Sequence, residues 1–395
     1  MHKISDKICA WIDPERIEAE AMRQIENVAA LPFVVQHVAV MPDTHRGIGA
    51  TIGTVIATRG AIAPATIGVD LGCGCVAART CFTADSLPDN LRAMREGIER
   101  RVPASVAKYN TKIQPTAFPR VAEMEARAVV NGAGVEYYDK VDHNWRLELG
   151  SLGSGNHFIE VCLDEQQRVW VMLHSGSRGI GNKLAMKHID KAKRLMESMF
   201  ITLADPDLAY FADKTPAFGE YIRDMLWAQH FALLNRDEMM DRVLEELRRD
   251  IEPNLETIEE ERINCHHNYC EMESHMGMNV WTTRKGAIRA RVNDMGIIPG
   301  SMASGSYIVR GKGNVASFQS APHGAGRRMS RGQARKTITM DEFRESMKGI
   351  EYRDDPKLLD EARAAYKPIE QVMADSEELV EVVHELHQVL NVKGD

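Results

Sequence analysis

Ile67-Gly-Val-Asp-Leu-Gly-Cys-Gly-Cys75 is the stretch on which the rest of the chain turns. Residues 63–69 are apolar and β-branched, interrupted by Pro64, and residues 76–79 continue as Val-Ala-Ala-Arg. The flanks read as buried strand, and the glycines allow a sharp turn or close approach of the backbone to a ligand. Asp70 and Cys73, three residues apart on that turn, aim a carboxylate and a thiolate at one point, a plausible pairing of metal ligands in charge and geometry. The same letters resemble the cofactor loop of a Rossmann-like methyltransferase. That reading needs a further glycine and a helix at once, whereas Cys75 and an apolar strand follow.

Working outward, the 395 residues are enough for a sizeable core, and the net charge of −8 excludes a generally basic nucleic-acid binder. A polyanionic substrate must meet a local cluster of Arg and Lys. Seven cysteines, no apolar run of membrane-spanning length and no signal-peptide pattern predict a reduced, cytoplasmic enzyme with no membrane contact, its cysteines core residues or ligands.

Upstream, residues 14–28 read as a surface helix, and His37-Val-Ala-Val-Met as a strand leading to a polar turn that carries Asp43, His45 and Arg46. Residues 87–101 have helical spacing with Ser86 as N-cap. Downstream, Gly153-Ser-Gly-Asn156-His157 is a loop feeding a strand, on which Glu160 leaves the face opposite His157. A second strand from Arg168 ends at His174, so an antiparallel pairing sets His157 beside His174. Gly176 to Lys183 misses a Walker loop because Asn182 stands where lysine is required; a backbone cradle for phosphate with Arg178 nearby, ahead of a helix from Lys183, remains.

Residues 216–249 and 253–264 look helical and end in Cys265-His-His-Asn-Tyr-Cys270, which lacks the pair-and-pair spacing of a zinc finger. One or two of its side chains fit a shared site better. The last third alternates strands and glycine turns through Pro299-Gly-Ser301, Ser306 and Ala321-Pro-His323-Gly-Ala-Gly, with Arg327, Arg328 and Arg331 expected on a following helix and a helical tail. No linker or repeat divides the chain. The expected fold is α/β (α+β), with mixed, largely antiparallel sheets surrounded by helices in one intertwined domain, residues 1–395.

Asp70, Cys73, His157, His174 and one of the adjacent His266 and His267 supply a carboxylate, a thiolate and three imidazoles, enough for two metals sharing the thiolate; by ligand type zinc comes first. Cys75 reads as a small buried residue. His323, with three arginines nearby, suits attack on phosphorus better than metal binding.

In order along the chain, Met41-Pro-Asp-Thr-His, Gly68-Val-Asp-Leu-Gly-Cys-Gly, Gly155-Asn-His-Phe-Ile-Glu, His174-Ser-Gly-Ser-Arg-Gly-Ile-Gly-Asn, Cys265-His-His-Asn-Tyr, Arg284-Lys-Gly-Ala, Ile298-Pro-Gly-Ser-Met, His323-Gly-Ala-Gly-Arg and Val392-Lys-Gly resemble the RtcB family of RNA ligases nearly end to end. The resemblance implies two Mn2+ ions in place of zinc, one on Cys73, His157 and His174 and the other on Asp70, Cys73 and His267. It implies that His323 attacks the α-phosphate of GTP, that the GMP passes to an RNA 3′-phosphate, and that a 5′-hydroxyl then displaces it; a 2′,3′-cyclic phosphate end is first opened. Asn156, Glu160, Ser301, Ser306, Tyr366 and Lys393 are implied for the guanylate pocket. Asp43, Arg178, Lys285, Arg327 and Arg331 are implied for RNA or phosphate, and an archease-like activator as a partner. Ala321-Pro322 before His323 and Asp395 after the terminal Lys-Gly depart from the family pattern, and residues 103–144 carry no family motif. The competing reading is a dimetal phosphoesterase that opens cyclic phosphates without ligating.

Overall fold

The computed structural model describes residues 1–394. Two large sheets carry the architecture. In one, seven strands run in the order Glu259–His266, Gly74–Thr83, Arg168–Ser175, Phe158–Leu163, Val380–Lys393, Ser306–Gly311 and Met295–Ile298, and every neighbouring pair is antiparallel. In the other, the order is His2–Ser5, Ile8–Ala10, Val34–His45, Ile52–Thr58, Met278–Lys285 and Asn268–His275; only Ile8–Ala10 and Val34–His45 are parallel. The mixed, largely antiparallel α/β expectation is met.

The helix Pro216–Ile251, capped at its start by Thr215 and with proline in its first turn, is the longest element. One of its faces packs Met239, Met240, Val243 and Leu247 against Val76, Ala78, Val171 and Leu173 of the seven-stranded sheet. Farther toward its N-terminus, Tyr221, Met225, Trp227 and Phe231 pack against Arg178–Ser198 and against Phe118–Val130 from the stretch that carries no motif. Buried on several sides, this helix is the rod on which both strand ends and loops of the site are hung.

Several local expectations give way to tertiary packing. Residues 63–69 form no strand: Pro64–Thr66 is a 3-10 turn, because proline fixes the backbone there and withholds a ladder donor. Residues 259–264 are strand, not helix; despite Glu and Arg they pair with Gly74–Thr83, Ile263 opposite Ala77. The tail is strand too: Val380–Lys393, rich in valine, lies between two other strands and buries Leu386, Gln388 and Leu390. Asp43 and His45 sit within the strand Val34–His45, whose register slips between Val40 and His45, and not on a turn. The helix expected from residue 87 begins at Arg92, with Ser86 closing a preceding 3-10 turn, and the helix expected from Lys183 begins at Arg178. Arg327 and Arg328 precede the helix Arg331–Thr337.

Candidate active site and metal cluster

The turn bearing Asp70 and Cys73 is stitched to the Cys265–Tyr269 segment before any side chain is considered. Gly72 N donates to Asn268 O (2.7 Å), and Cys73 O accepts from His267 N (2.7 Å) and Asn268 N (3.2 Å). Gly72 has φ +72°, and Gly176 leaves room where a Cβ would collide with the Asp70 carboxylate. The antiparallel register sets Phe158 opposite His174, so His157 and His174 are neighbours, their rings 5.2 Å apart.

Their donor atoms converge. Cys73 Sγ is 3.1 Å from His174 Nε2 and 3.5 Å from His157 Nε2; His157 Nε2 is 3.1 Å from Asp70 Oδ2; His174 Nε2 is 3.2 Å from His267 Nε2. The opposite ring nitrogens are committed: His157 Nδ1 donates to Leu152 O (2.9 Å) and His174 Nδ1 to Asn156 O (3.1 Å). A carbonyl only accepts, so both rings carry a proton on Nδ1 and turn Nε2 into the cluster, the nitrogen that offers a lone pair to a metal whenever the ring is neutral. Burial, then the neighbouring histidine charges, pushes the pKa of His174 and of His267 well below the usual value, which keeps them neutral. Burial works against ionisation of Asp70, but the hydrogen bond and charge of His157 hold its carboxyl down at about 2. Lone pairs, a carboxylate and a sulfur crowded within hydrogen-bond distance fit a cation. Burial and then Asp70 push the Cys73 thiol well above its ordinary value, so a metal has to displace its proton. Cys75 is buried as expected, but its sulfur also lies within 4.8 Å of ring nitrogens of His174 and His267.

His323 stands beside this cluster, its ring 4.7 Å from that of His267. Asp43, fully buried, accepts from both His323 N (3.1 Å) and His323 Nδ1 (2.6 Å) through the same oxygen, Oδ2. The carboxylate thus fixes the Nδ1–H tautomer and leaves Nε2 as the free lone pair. Asp43 is therefore not available to RNA as the sequence reading expected; its partner is the histidine.

A cavity of about 810 Å³ opens over these groups, within the size range of small-molecule sites. Asp70, Cys73, His174, His267 and His323 line it, together with Asn156, Ser301, Tyr366 and Lys393. Glu160 and Ser306 stand behind the wall. Glu160 Oε1 accepts from Asn391 Nδ2 (2.7 Å), and Oε2 from Gln388 Nε2 (3.2 Å), which also reaches Ser301 O (3.2 Å). Burial raises the Glu160 pKa to about 8 despite these donors.

The arginines expected around His323 are engaged elsewhere. Arg327 donates to Glu361 (3.1 Å), Tyr366 OH (3.0 Å), Asp360 O (2.6 Å) and Met329 O (3.1 Å), and Arg331 to Asp360 (2.7 Å) and Glu361 (2.8 Å). Glu361 also takes Tyr366 OH (2.6 Å) and Lys393 Nζ (2.9 Å). Arg178 donates from Nε to Ser151 Oγ (3.0 Å) and bears on the loop before His157. Lys285 lines the cavity but gives Nζ to Ile48 O (2.6 Å) and Ala65 O (2.8 Å), and burial pulls its pKa down to about 7. Sequence reasoning missed Glu361, Gln388 and Asn391, which lie in no glycine turn and take their meaning from partners far away in the chain.

The sequence pattern of the family described as tRNA-splicing ligase RtcB matches residues 24–394. The chain belongs to that family. It is 45% identical to the RNA-splicing ligase RtcB of Escherichia coli K12, with 97% of this chain and 96% of that one covered. It is 31% identical to the tRNA-splicing ligase RtcB of Pyrobaculum aerophilum (88% and 85% covered) and 30% identical to that of Nanoarchaeum equitans (99% and 94% covered). The converging Cys–His cluster fits a metal-dependent ligase.

Proposed function

We propose that this RNA ligase is GTP-dependent and joins RNA 3′-phosphate or 2′,3′-cyclic phosphate ends to 5′-hydroxyl ends, with His323 carrying GMP in between. The observation that carries the reading is the Asp43–His323 pair beside the Asp70, Cys73, His157, His174 and His267 cluster. A neutral imidazole held as the Nδ1–H tautomer presents Nε2 to phosphorus. In the first step the Nε2–P bond forms and the bond from the α-phosphorus to the bridging oxygen breaks, pyrophosphate leaving. The RNA 3′-phosphate oxygen then takes GMP from Nε2, and the 5′-hydroxyl oxygen displaces GMP and gives up its proton. Two Mn2+ ions, when held by the cluster, would neutralise phosphoryl oxygens.

Asn156, Ser301, Tyr366 and Lys393 bind the guanylate, with Ser306 and Glu160 behind them and Glu160 as the group that reads guanine. Lys285, Arg178, Arg327 and Arg331 shape the phosphate side, although their present bonds favour a supporting role over direct contact. The site draws on residues from Asp43 to Lys393, which favours residues 1–395 acting as one ligase domain.

The test is incubation with labelled GTP and Mn2+, followed by a search for an acid-labile protein adduct. The parent chain should label; His323→Ala should bind metal and not label, yet still join RNA already capped with GMP at its 3′-phosphate. Opening of cyclic phosphates without any adduct would favour the phosphoesterase reading instead. An archease-like activator is tested by adding one to the same assay.

A further inference from the structure

Arg236 is fully buried on the long helix, and none of its hydrogen-bond acceptors is a carboxylate. Its Nη1 donates to Gly72 O (2.8 Å) and Ser175 O (3.1 Å) and its Nε to Asn264 Oδ1 (2.7 Å), while His266 Nδ1, 3.1 Å from Nη2, donates to the same Gly72 O (2.8 Å). Gly72, Ser175 and His266 are the chain neighbours of Cys73, His174 and His267. One guanidinium therefore ties together the three segments that carry three of the candidate ligands. Asn235, the preceding residue and also buried, holds the fourth: Oδ1 accepts from Gly150 N (2.7 Å) and Ser151 N (3.3 Å), and Nδ2 donates to Ser151 O (3.3 Å) and Gly176 O (3.1 Å). That loop leads to Leu152, whose carbonyl orients His157.

A buried guanidinium without a carboxylate is costly unless some other negative charge faces it. The groups that raise its pKa against burial are Cys73 first, then Cys265 and Cys75, ahead of the Asp237 carboxylate. Alone, a thiol is a poor counter-charge, whereas an anionic cluster of thiolate and carboxylate ligands is a good one.

We propose that Asn235 and Arg236 are the positioning residues of the metal cluster, Arg236 setting the spacing of Cys73, His174 and His267 and supplying the buried positive charge behind them. The inference rests on the reading that the cluster holds metal, and Co2+ tests the two separately. The parent chain should bind Co2+ and give a thiolate-to-cobalt charge-transfer band. Arg236→Gln, with native circular dichroism, should lose about ten- to a hundredfold in Co2+ affinity, the usual range for groups that orient ligands. Arg236→Lys keeps the charge but not the fork, and should lose less. Asn235→Ala should also weaken binding. Val243→Ala, a core truncation on the same helix, should lower thermal stability and leave Co2+ affinity as in the parent. Parental affinity and band in folded Arg236→Gln would overturn the inference. Should that variant not fold, affinities of Arg236→Lys and Asn235→Ala equal to that of Val243→Ala would overturn it. No Co2+ binding by the parent would overturn the metal reading and this inference with it.

Discussion

Asp43→Asn is the sharpest test of how His323 is held. In the parent, Oδ2 takes two N–H groups of His323, at 3.1 and 2.6 Å, while Oδ1 is buried and without a partner. Both donors require an acceptor, so asparagine keeps its oxygen toward His323 and puts its amide nitrogen where Oδ1 was. The fold then carries a buried, unpaired NH2 group, at a cost of about 1–3 kcal/mol in stability. The bond to Nδ1 changes from charge-assisted to neutral and loses about half its strength, about 1–1.5 kcal/mol, or about five- to tenfold in the rate of adduct formation. If the amide flips instead, the ring takes the Nε2–H tautomer and the nucleophilic lone pair is gone. Labelling then falls by several orders of magnitude, as activity does when the aspartate of a Ser-His-Asp triad is changed to asparagine. The assay is single-turnover labelling with GTP, alongside metal content and thermal unfolding. Labelling at the parental rate, with metal content unchanged, would refute the orientation argument.

Cys73→Ser should lose most bound metal and all GTP labelling, whereas Cys75→Ser should retain both; equal losses, measured by metal analysis, would mean that the turn is merely fragile. Glu160→Gln should weaken GTP labelling by about two- to tenfold, the worth of one neutral hydrogen bond from a carboxyl that burial keeps largely protonated near pH 7, and ATP should gain relative to GTP; unaltered GTP preference would mean guanine is read elsewhere. The same variant carries a pH signature. The folded Glu160 pKa, raised to about 8 by burial, exceeds the ordinary 4.5, so the folded state binds more protons between these values. The stability contributed by the neutral form is full below about pH 4.5 and is lost as pH rises through about 8, at most about 5 kcal/mol over the whole window. Lys285, lowered to about 7, works in the opposite sense above that pH. Denaturation midpoints are therefore best compared between about pH 5 and 7, where Glu160→Gln should flatten the decline; an unchanged slope would refute the buried-carboxylate account.

What is legible in the sequence follows from where each signal is stored. Cys73, His157, His174 and His267 sit at junctions of strand and turn, so their residue types and flanking glycines mark them locally, and the register Phe158 opposite His174 follows once the two strands pair antiparallel. Elements whose identity depends on remote partners are not legible in this way. Residues 259–264 have helix-forming side chains, and only pairing with Gly74–Thr83 makes them strand. The tail reads as helix until it is inserted between Phe158–Leu163 and Ser306–Gly311. The arginines after His323 are recognisable as a cluster, but their direction is set by Asp360 and Glu361, which lie 29 and 34 positions from the arginines they bind. Arg236 resembles a surface residue in a charged helical run; its burial comes from elements on either side of the helix.

These pairings also bear on how a chain of net charge −8 can handle polyanionic ends. The cations lining the cavity are largely satisfied within the fold: Lys393 and Arg331 by Glu361, Arg327 by Glu361, Tyr366 and backbone oxygens, and Lys285 by two carbonyls. Lys285, with a pKa of about 7, is moreover only partly charged at neutral pH. In the cluster, Asp70 remains ionised and Cys73 becomes anionic on binding metal. Positive charge able to meet phosphates must then come chiefly from metal held by the cluster, since a cation already bonded to a carboxylate gains less from a second anion. Under the proposed reading, GTP affinity should therefore rise steeply on loading the cluster with metal and depend only weakly on Arg327. Equilibrium binding of GTP to the metal-stripped chain as tightly as to the loaded one would show that the arginines and lysines suffice.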